Sequence, residues 1–379
     1  MYERNFNSSN RLPLLFILLL QCASIFSQSI NESLNPKVLF NSSTDAAVSC
    51  YRIPALITAQ NGDLIVAIDE RVPSCGDLKW SEDINIVIRR STDNGNTWTQ
   101  IQPIVDYPIG QSASDPSMIL NEITGEIILF FNYMDLRNER DVYYLKMIKS
   151  KDHGKIWSTP VDITDQISKP EWENDFMFIT SGRGIQKSDG EMIHTLVNLK
   201  HGTHLFKSRN NGKMWRLIDT PLIPGDESKV IELDDGSLMV NSRVNKAGLR
   251  YVHTSQDGGV TWTSIADDQL VDPSCNASII RYTSIKNGWD KNRLLFSNPE
   301  SSDKRENMTI KISYDEGKTW SAGKCIYPGP SAYSSMTILE NGKIGLVFEK
   351  DDYSETVFVS LTLDWLTDGT DRLDRIKKK

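Results

Sequence analysis

The stretch STDNGNTW, Ser91 to Trp98, decides how this chain is read, because it returns four more times: SKDHGKIW at Ser150–Trp157, SRNNGKMW at Ser208–Trp215, SQDGGVTW at Ser255–Trp262 and SYDEGKTW at Ser313–Trp320. The shared pattern is S-x-D-x-G-x-x-W, with Asn210 in the third copy where the others carry Asp. The starting serines lie 59, 58, 47 and 58 residues apart. Such a period is expected of one supersecondary unit repeated around an axis, and its length suggests a propeller blade. Within each copy the Asp or Asn side chain can accept backbone N–H bonds in a tight turn, the Gly tolerates positive φ, and the Trp can cover the flank of its own sheet. The pattern accounts for structure and not for chemistry.

Between these turns runs a second recurring element, an apolar run, a turn and another apolar run. It reads ALITAQNGDLIVAI from Ala55, SMILNEITGEIILFF from Ser117, GIQKSDGEMIHTL from Gly184, VIELDDGSLMV from Val230, SIIRYTSIKNGWDKNRLLF from Ser278 and SMTILENGKIGLVF from Ser335. Asn-Gly or Asp-Gly steps mark most of these hairpins. Five of them lead through a further strand into an S-x-D-x-G-x-x-W turn, giving four strands per unit, whereas the sixth is followed only by ETVFVSLTLDWL from Glu355. KVLF, Lys37 to Phe40, is an isolated apolar run before the first hairpin and supplies the missing strand by pairing with the last sheet. The expectation is an all-β, six-bladed β-propeller with its core over about residues 36–366, in one domain spanning 29–379. Two-residue periodicity gives no support for long helices. The stretch Ile167 to Phe178, with Pro170 and Trp172, is long enough for a rim loop facing a substrate.

Residues 1–28 read as a signal peptide: Arg4 and Arg11, then the apolar run Leu12 to Phe26, then Ser27 and Gln28, with an apolar run too short to span a bilayer. The destination is secreted, periplasmic or cell-surface. Gln21 is a poor residue to precede a lipid-modified Cys22. No other segment is expected to cross a membrane. Four cysteines remain, Cys50, Cys75, Cys275 and Cys325, which permits three pairings in an exported chain, with Cys50–Cys75 preferred. Sequons occur at Asn31, Asn41, Asn276 and Asn307 and become glycans only in a eukaryotic secretory pathway. The five histidines are scattered and no C-x-x-C occurs, so neither a metal nor another cofactor is expected. A net charge of −8 argues against nucleic acid as a partner, and Lys377 to Lys379 reads as a solvated tail. A monomer is expected.

YRIP, Tyr51 to Pro54, stands just before the first hairpin. Together with the repeated turns it resembles the F/Y-R-I-P motif of the sialidases, or exo-α-sialidases, and the resemblance runs from Tyr51 to Glu349. Sialic acid carries a carboxylate on its anomeric carbon, and arginine answers it with a permanent charge and bidentate geometry. The positions similar to the family's three arginines are Arg52 in YRIP, Arg243 in SLMVNSR and Arg305 in DKRENMTI, with Lys304 and Arg281 as competitors for the last. A glycan on Asn307 would sit beside Arg305, which favours a bacterial or unglycosylated protein. Sialidases are the glycosidase exception that uses a tyrosine nucleophile. The resemblance gives that role to Tyr333 in PSAYSSM and makes Glu227 in GDESKVIEL the base a phenol of pKa about 10 requires. Asp77, six residues after Arg71 in ERVPSCGD, is the implied general acid and base, a role that calls for a pKa raised by partial burial. Its rivals are Asp83 and Glu82. Arg71 and Asp115, in SASDPSMI, fall near the substrate's ring substituents, and Glu349, in GLVFEK, holds Arg52 in place.

The implied activity is that of a secreted, retaining exo-α-sialidase acting on sialylated glycoproteins, glycolipids or oligosaccharides through a tyrosyl-enzyme intermediate. A trans-sialidase or intramolecular trans-sialidase would use the same residues. A propeller that binds without cutting would not need the ordered set Arg52, Asp77, Glu227, Arg243, Arg305 and Tyr333.

Overall fold

The two-residue alternation of the hairpins folds as sheet throughout, and the computed structural model describes residues 34–44 and 46–376. The signal-peptide reading, Cys22, the Asn31 sequon and Lys377 to Lys379 lie outside the described residues. Four sheets follow the expected order: Cys50–Thr58 to Gln102–Val105, Gln111–Leu120 to Val161–Asp162, Met177–Ile179 to Arg216–Leu222, and Ser228–Glu232 to Thr263–Val271. The fifth has seven strands, running from Ser278–Thr283 to Glu355–Leu361 and ending on Lys37–Asn41. The innermost strands adjoin one another around a centre in a propeller-like arrangement. The two α-helices, Thr164–Ile167 and Leu363–Leu366, are four residues each, and no described helix is long and apolar enough to cross a membrane.

The count of separate sheets is thus five and not the expected six. Lys324–Ile338 runs unbroken for 15 residues. Its first part pairs with Glu306–Ser313 and its second, from Ser331, with Ile344–Lys350. Pro328, Gly329 and Pro330 sit where the partner changes, so residues that read as a break in sequence bend one strand from one partner to the next. Lys37–Asn41 pairs antiparallel with Glu355–Leu361 as anticipated, with Lys37 opposite Phe358.

The repeated turns do more than close hairpins. In each, the serine hydroxyl accepts the glycine N–H, at 2.8 to 3.0 Å, and the Asp93, Asp152, Asn210, Asp257 or Asp315 side chain accepts the N–H four residues on. A Cβ on Gly95 would lie 2.2 Å from Phe358, and one on Gly212 would lie 2.4 Å from Ile128. Both glycines have positive φ, so conformation and space require the same residue. Ile65, Ile218 and Met239 stand against the other three copies. Every turn therefore presses on the sheet preceding its own in the ring. The tryptophans divide between the two: Trp98 meets Phe358 of the neighbouring sheet at 5.1 Å, Trp320 meets Phe296 of its own at 5.8 Å, and Trp215 touches Phe130 and Phe206, one from each.

Cys50 and Cys75 are disulfide-bonded, while Cys275 and Cys325 are free. The bridge ties Cys75, two residues before Asp77, to the start of the strand Cys50–Thr58. Replacing both cysteines with serine is expected to lower stability by about 3.5 kcal/mol, from the loop-closure entropy of a ring of this length. Denaturant unfolding of the double variant checks this. The Asn276 sequon is not an acceptor site in this fold, because Asn276 is 2 % exposed and its amide is committed to Lys229 and Ser181.

Candidate active site

Register is lost between neighbouring strands at Arg52 and Ala55, Ser114 and Ser117, Glu306 and Met308, and Ser331 and Ser334. Ile53, Asp115 and Asn307 take left-handed backbone at three of these breaks. A bulge re-aims the side chains beside it. Arg52, Asp115, Arg305 and Tyr333 each sit at or next to one, which is how an alternating strand turns polar residues toward the centre.

Tyr333 is 8 % exposed, and its hydroxyl donates to Glu227, 2.7 and 2.8 Å from the two carboxylate oxygens. Arg243 Nη1 lies 2.5 Å from Glu227 Oε2 and donates to the Tyr333 hydroxyl at 3.3 Å. Backbone bonds between residues 226–227 and 243 clamp Glu227 and Arg243 at one end of their hairpin. Burial, and next the Glu227 carboxylate, push the Tyr333 phenol well above its ordinary range, so it is neutral at neutral pH. Glu349, fully buried, accepts from Arg52 Nε at 2.8 Å and from the Ile53 N–H at 2.7 Å, and also from the Tyr333 N–H at 3.0 Å. One carboxylate thus fixes both an arginine and the tyrosine backbone. Arg305 places its guanidinium 5.6 Å from the Tyr333 ring centre, as does Arg52. Its competitors are elsewhere: Arg281 is bound to Glu316, and Lys304 is exposed in the Ser301 turn.

Asp77 Oδ1 receives Arg71 Nη1 at 2.7 Å, and the Asp77 side chain is 62 % exposed. The partial burial expected of it is not found. Asp83 is instead tied to Asn85, and Glu82 is exposed. Asp115 accepts from Asn132, whose amide also bridges to both backbone groups of Ile179. Burial, then neighbouring Asp69, lift the Asp115 carboxyl well above the usual carboxylate range. In the Ile167–Phe178 stretch Ile167 and Trp172 are buried, with Trp172 packed on His201 and His204, while Pro170, Glu171, Glu173 and Asn174 are exposed.

Three residues of the cluster escape sequence reading. Asp69 accepts Arg71 Nε and Nη2 at 3.2 and 2.9 Å, the Ser114 hydroxyl at 2.7 Å and the Asp115 N–H at 2.9 Å, with no exposure. Lys229 is buried two residues beyond Glu227, donates to Asn276 Oδ1 at 2.6 Å, and is pushed down to about 7 by burial. Tyr353 lies over Arg52, its ring centre 3.9 Å from the guanidinium carbon. Among the described residues no group of His, Cys, Asp and Glu is arranged to hold a metal ion. A cavity of about 700 Å³ lies apart, against Met239, Ile265, Asp268 and Lys318, and none of the cluster lines it.

The arrangement offers three cations around a neutral phenol with its base, and a solvent-facing carboxylate paired to an arginine. Such a set suits an anionic substrate undergoing displacement at a nearby carbon. The family model described as BNR repeat-like domain matches residues 76–346. The chain is 31 % identical over 330 residues to a sialidase of Bacteroides fragilis (strain YCH46), covering 79 % of this chain and 60 % of that one. It is 33 % identical over 343 residues to a sialidase of Micromonospora viridifaciens, covering 83 % and 52 %. It thus spans between half and two thirds of the length of these two relatives. The solved structure of Hadza microbial sialidase Hz136 is similar with a TM-score of 0.77 and 30 % identity, covering 85 % of this chain and 67 % of that one.

Proposed function

Since this chain belongs to the sialidase family, we propose that it is a retaining exo-α-sialidase that releases terminal sialic acid from sialylated glycoconjugates. The observation that supports this most directly is the buried Tyr333–Glu227 pair with Arg52, Arg243 and Arg305 about it. In this reading the arginines hold the substrate carboxylate. A carboxylate nucleophile there would be repelled by that anion, whereas a neutral phenol is not. Tyr333 Oη attacks the anomeric carbon while Glu227 takes its proton, and Asp77, as the acid, protonates the departing glycoside oxygen as its bond to carbon breaks. Asp77 then takes a proton from water. The water oxygen bonds to the anomeric carbon, the bond to Tyr333 breaks, and Glu227 returns the phenol proton. Two displacements retain configuration. The exposed Asp77 acquires its burial from the bound substrate, and Arg71 orients it. The N-terminal segment suits export to the periplasm, cell surface or medium.

Incubation with a sialyl-oligosaccharide, followed by NMR of the sugar, tests the reaction. Free sialic acid appearing first as the α anomer is expected. A first-formed β anomer would exclude retention, and an anhydro-sugar or transferred product would replace hydrolysis with transfer. Asp77→Ala is expected to lose on the order of 100-fold in kcat/KM on a sugar leaving group and far less on an activated aryl leaving group, which needs little protonation. Equal losses on both substrates would remove Asp77 from the role of acid.

A further inference from the structure

The three arginines differ in how their charge is spent. Arg52 is paired with Glu349 and Arg243 with Glu227. Arg305 has no ion-pair partner among the described residues; its Nη2 donates to the Ser274 carbonyl at 2.9 Å and its Nη1 to the Tyr353 hydroxyl at 3.2 Å. The same tyrosine lays its ring on Arg52. One phenol therefore touches two cations, Arg52 from the strand Cys50–Thr58 and Arg305 from the bend that leads into Glu306–Ser313 of the seven-stranded sheet.

Its backbone is held for the purpose. Asp351, Asp352 and Tyr353 are all left-handed, at φ 50°, 52° and 72°, three consecutive non-glycine residues in a region that costs energy at each. The turn persists because it is tied at several points. The Asp351 N–H donates to the Pro330 carbonyl at 2.9 Å, the Ser354 N–H to the Asp351 carbonyl at 3.1 Å, and the Asp351 carboxylate receives Tyr327 and Lys350. The Tyr353 ring packs against the cluster of Ile53, Cys275, Ala332 and Tyr333.

We infer that Tyr353 is a positioning residue for carboxylate recognition: it fixes Arg52 and Arg305 relative to one another through a neutral hydroxyl and a ring face, and so leaves Arg305 charge for the substrate. A carboxylate at this place would orient the arginines equally well but would compete with the incoming anion. A phenol accepts from a guanidinium without neutralising it, and a ring face attracts a cation without a counter-charge. The inference rests on the proposed sialidase activity for its choice of anion.

The test compares binding of the 2,3-unsaturated analogue of sialic acid and of its methyl ester to wild type, Tyr353→Phe and Tyr353→Leu by calorimetric titration. Affinity for the acid is expected to fall about 5-fold in the Phe variant, which loses the acceptor, and about 30-fold in the Leu variant, which loses the ring as well. Affinity for the uncharged ester stays within about two-fold. With a sialoside substrate, KM rises in the same order and kcat changes little. Unchanged affinity for the acid in both variants overturns the inference, as does equal weakening of acid and ester, or a wild type that does not bind the acid. A wild type that binds the acid but releases no sialic acid from a sialoside counts against the activity alone, and the acid-to-ester comparison still decides the role of Tyr353.

Discussion

Tyr333→Phe is expected to lower kcat by on the order of a thousand-fold or more while binding of a carboxylate-bearing analogue stays within about two-fold. The substitution keeps the ring that faces Arg52 and Arg305, keeps the backbone N–H that Glu349 holds, and removes only the hydroxyl that lies between the Glu227 oxygens and Arg243. Because burial and Glu227 hold the phenol protonated, in the proposed mechanism the wild type attacks only as Glu227 takes the proton, and the variant lacks the attacking oxygen. Steady-state kinetics gives the magnitude. Mass spectrometry of acid-quenched wild type should show a sialyl adduct on the peptide containing Tyr333. An adduct elsewhere, or a variant retaining a tenth of wild-type kcat, would require another nucleophile.

Asp69→Ala is expected to cost about 3–5 kcal/mol of stability, the loss typical when one partner of a buried ion pair is removed. Arg71 has no exposed side-chain area, and its other carboxylate, Asp77, lies at the solvent. Without Asp69 the guanidinium keeps its charge with that edge carboxylate and the Cys75 and Gly76 carbonyls on one nitrogen, while Ser114 and the Asp115 N–H lose their acceptor. Removing both charges with Asp69→Ala and Arg71→Met should recover part of the loss, because no uncompensated ion is then buried. Chemical denaturation of the single and double variants measures this. A single variant within about 0.5 kcal/mol of wild type would show that Asp69 does not support Arg71.

The sequence disclosed the repeats because each copy must solve the same local problem, a tight turn seated against a neighbouring sheet. Ser, Asp and Gly all act within eight residues there. Arg52 and Tyr333 were readable for a similar reason, since they lie in short motifs on bulged inner strands. Asp69 was not, because in LIVAIDER it looks like the polar end of an alternating strand, and its partners Ser114 and Asp115 come from another sheet. Tyr353 was hidden by a backbone turn that no Gly announces. The sheet count failed at Pro328, Gly329 and Pro330, where turn-forming residues bend a strand and do not end it. Trp172 likewise lies in a stretch with loop composition, but its indole is core.

Ring closure by Lys37–Asn41 against Glu355–Leu361 gives the architecture a seam. Among the described strands the other antiparallel neighbours are close in sequence and can pair as soon as both exist, but this contact joins the first described strand to the last and bears the largest loop-closure entropy. Glu349, which anchors Arg52 and Tyr333, lies on the strand next to that seam. The cluster that Glu349 holds together is therefore expected to set only once Glu355–Leu361 has joined its sheet. In the proposed enzyme, the last stitch that completes the shape also completes the chemistry.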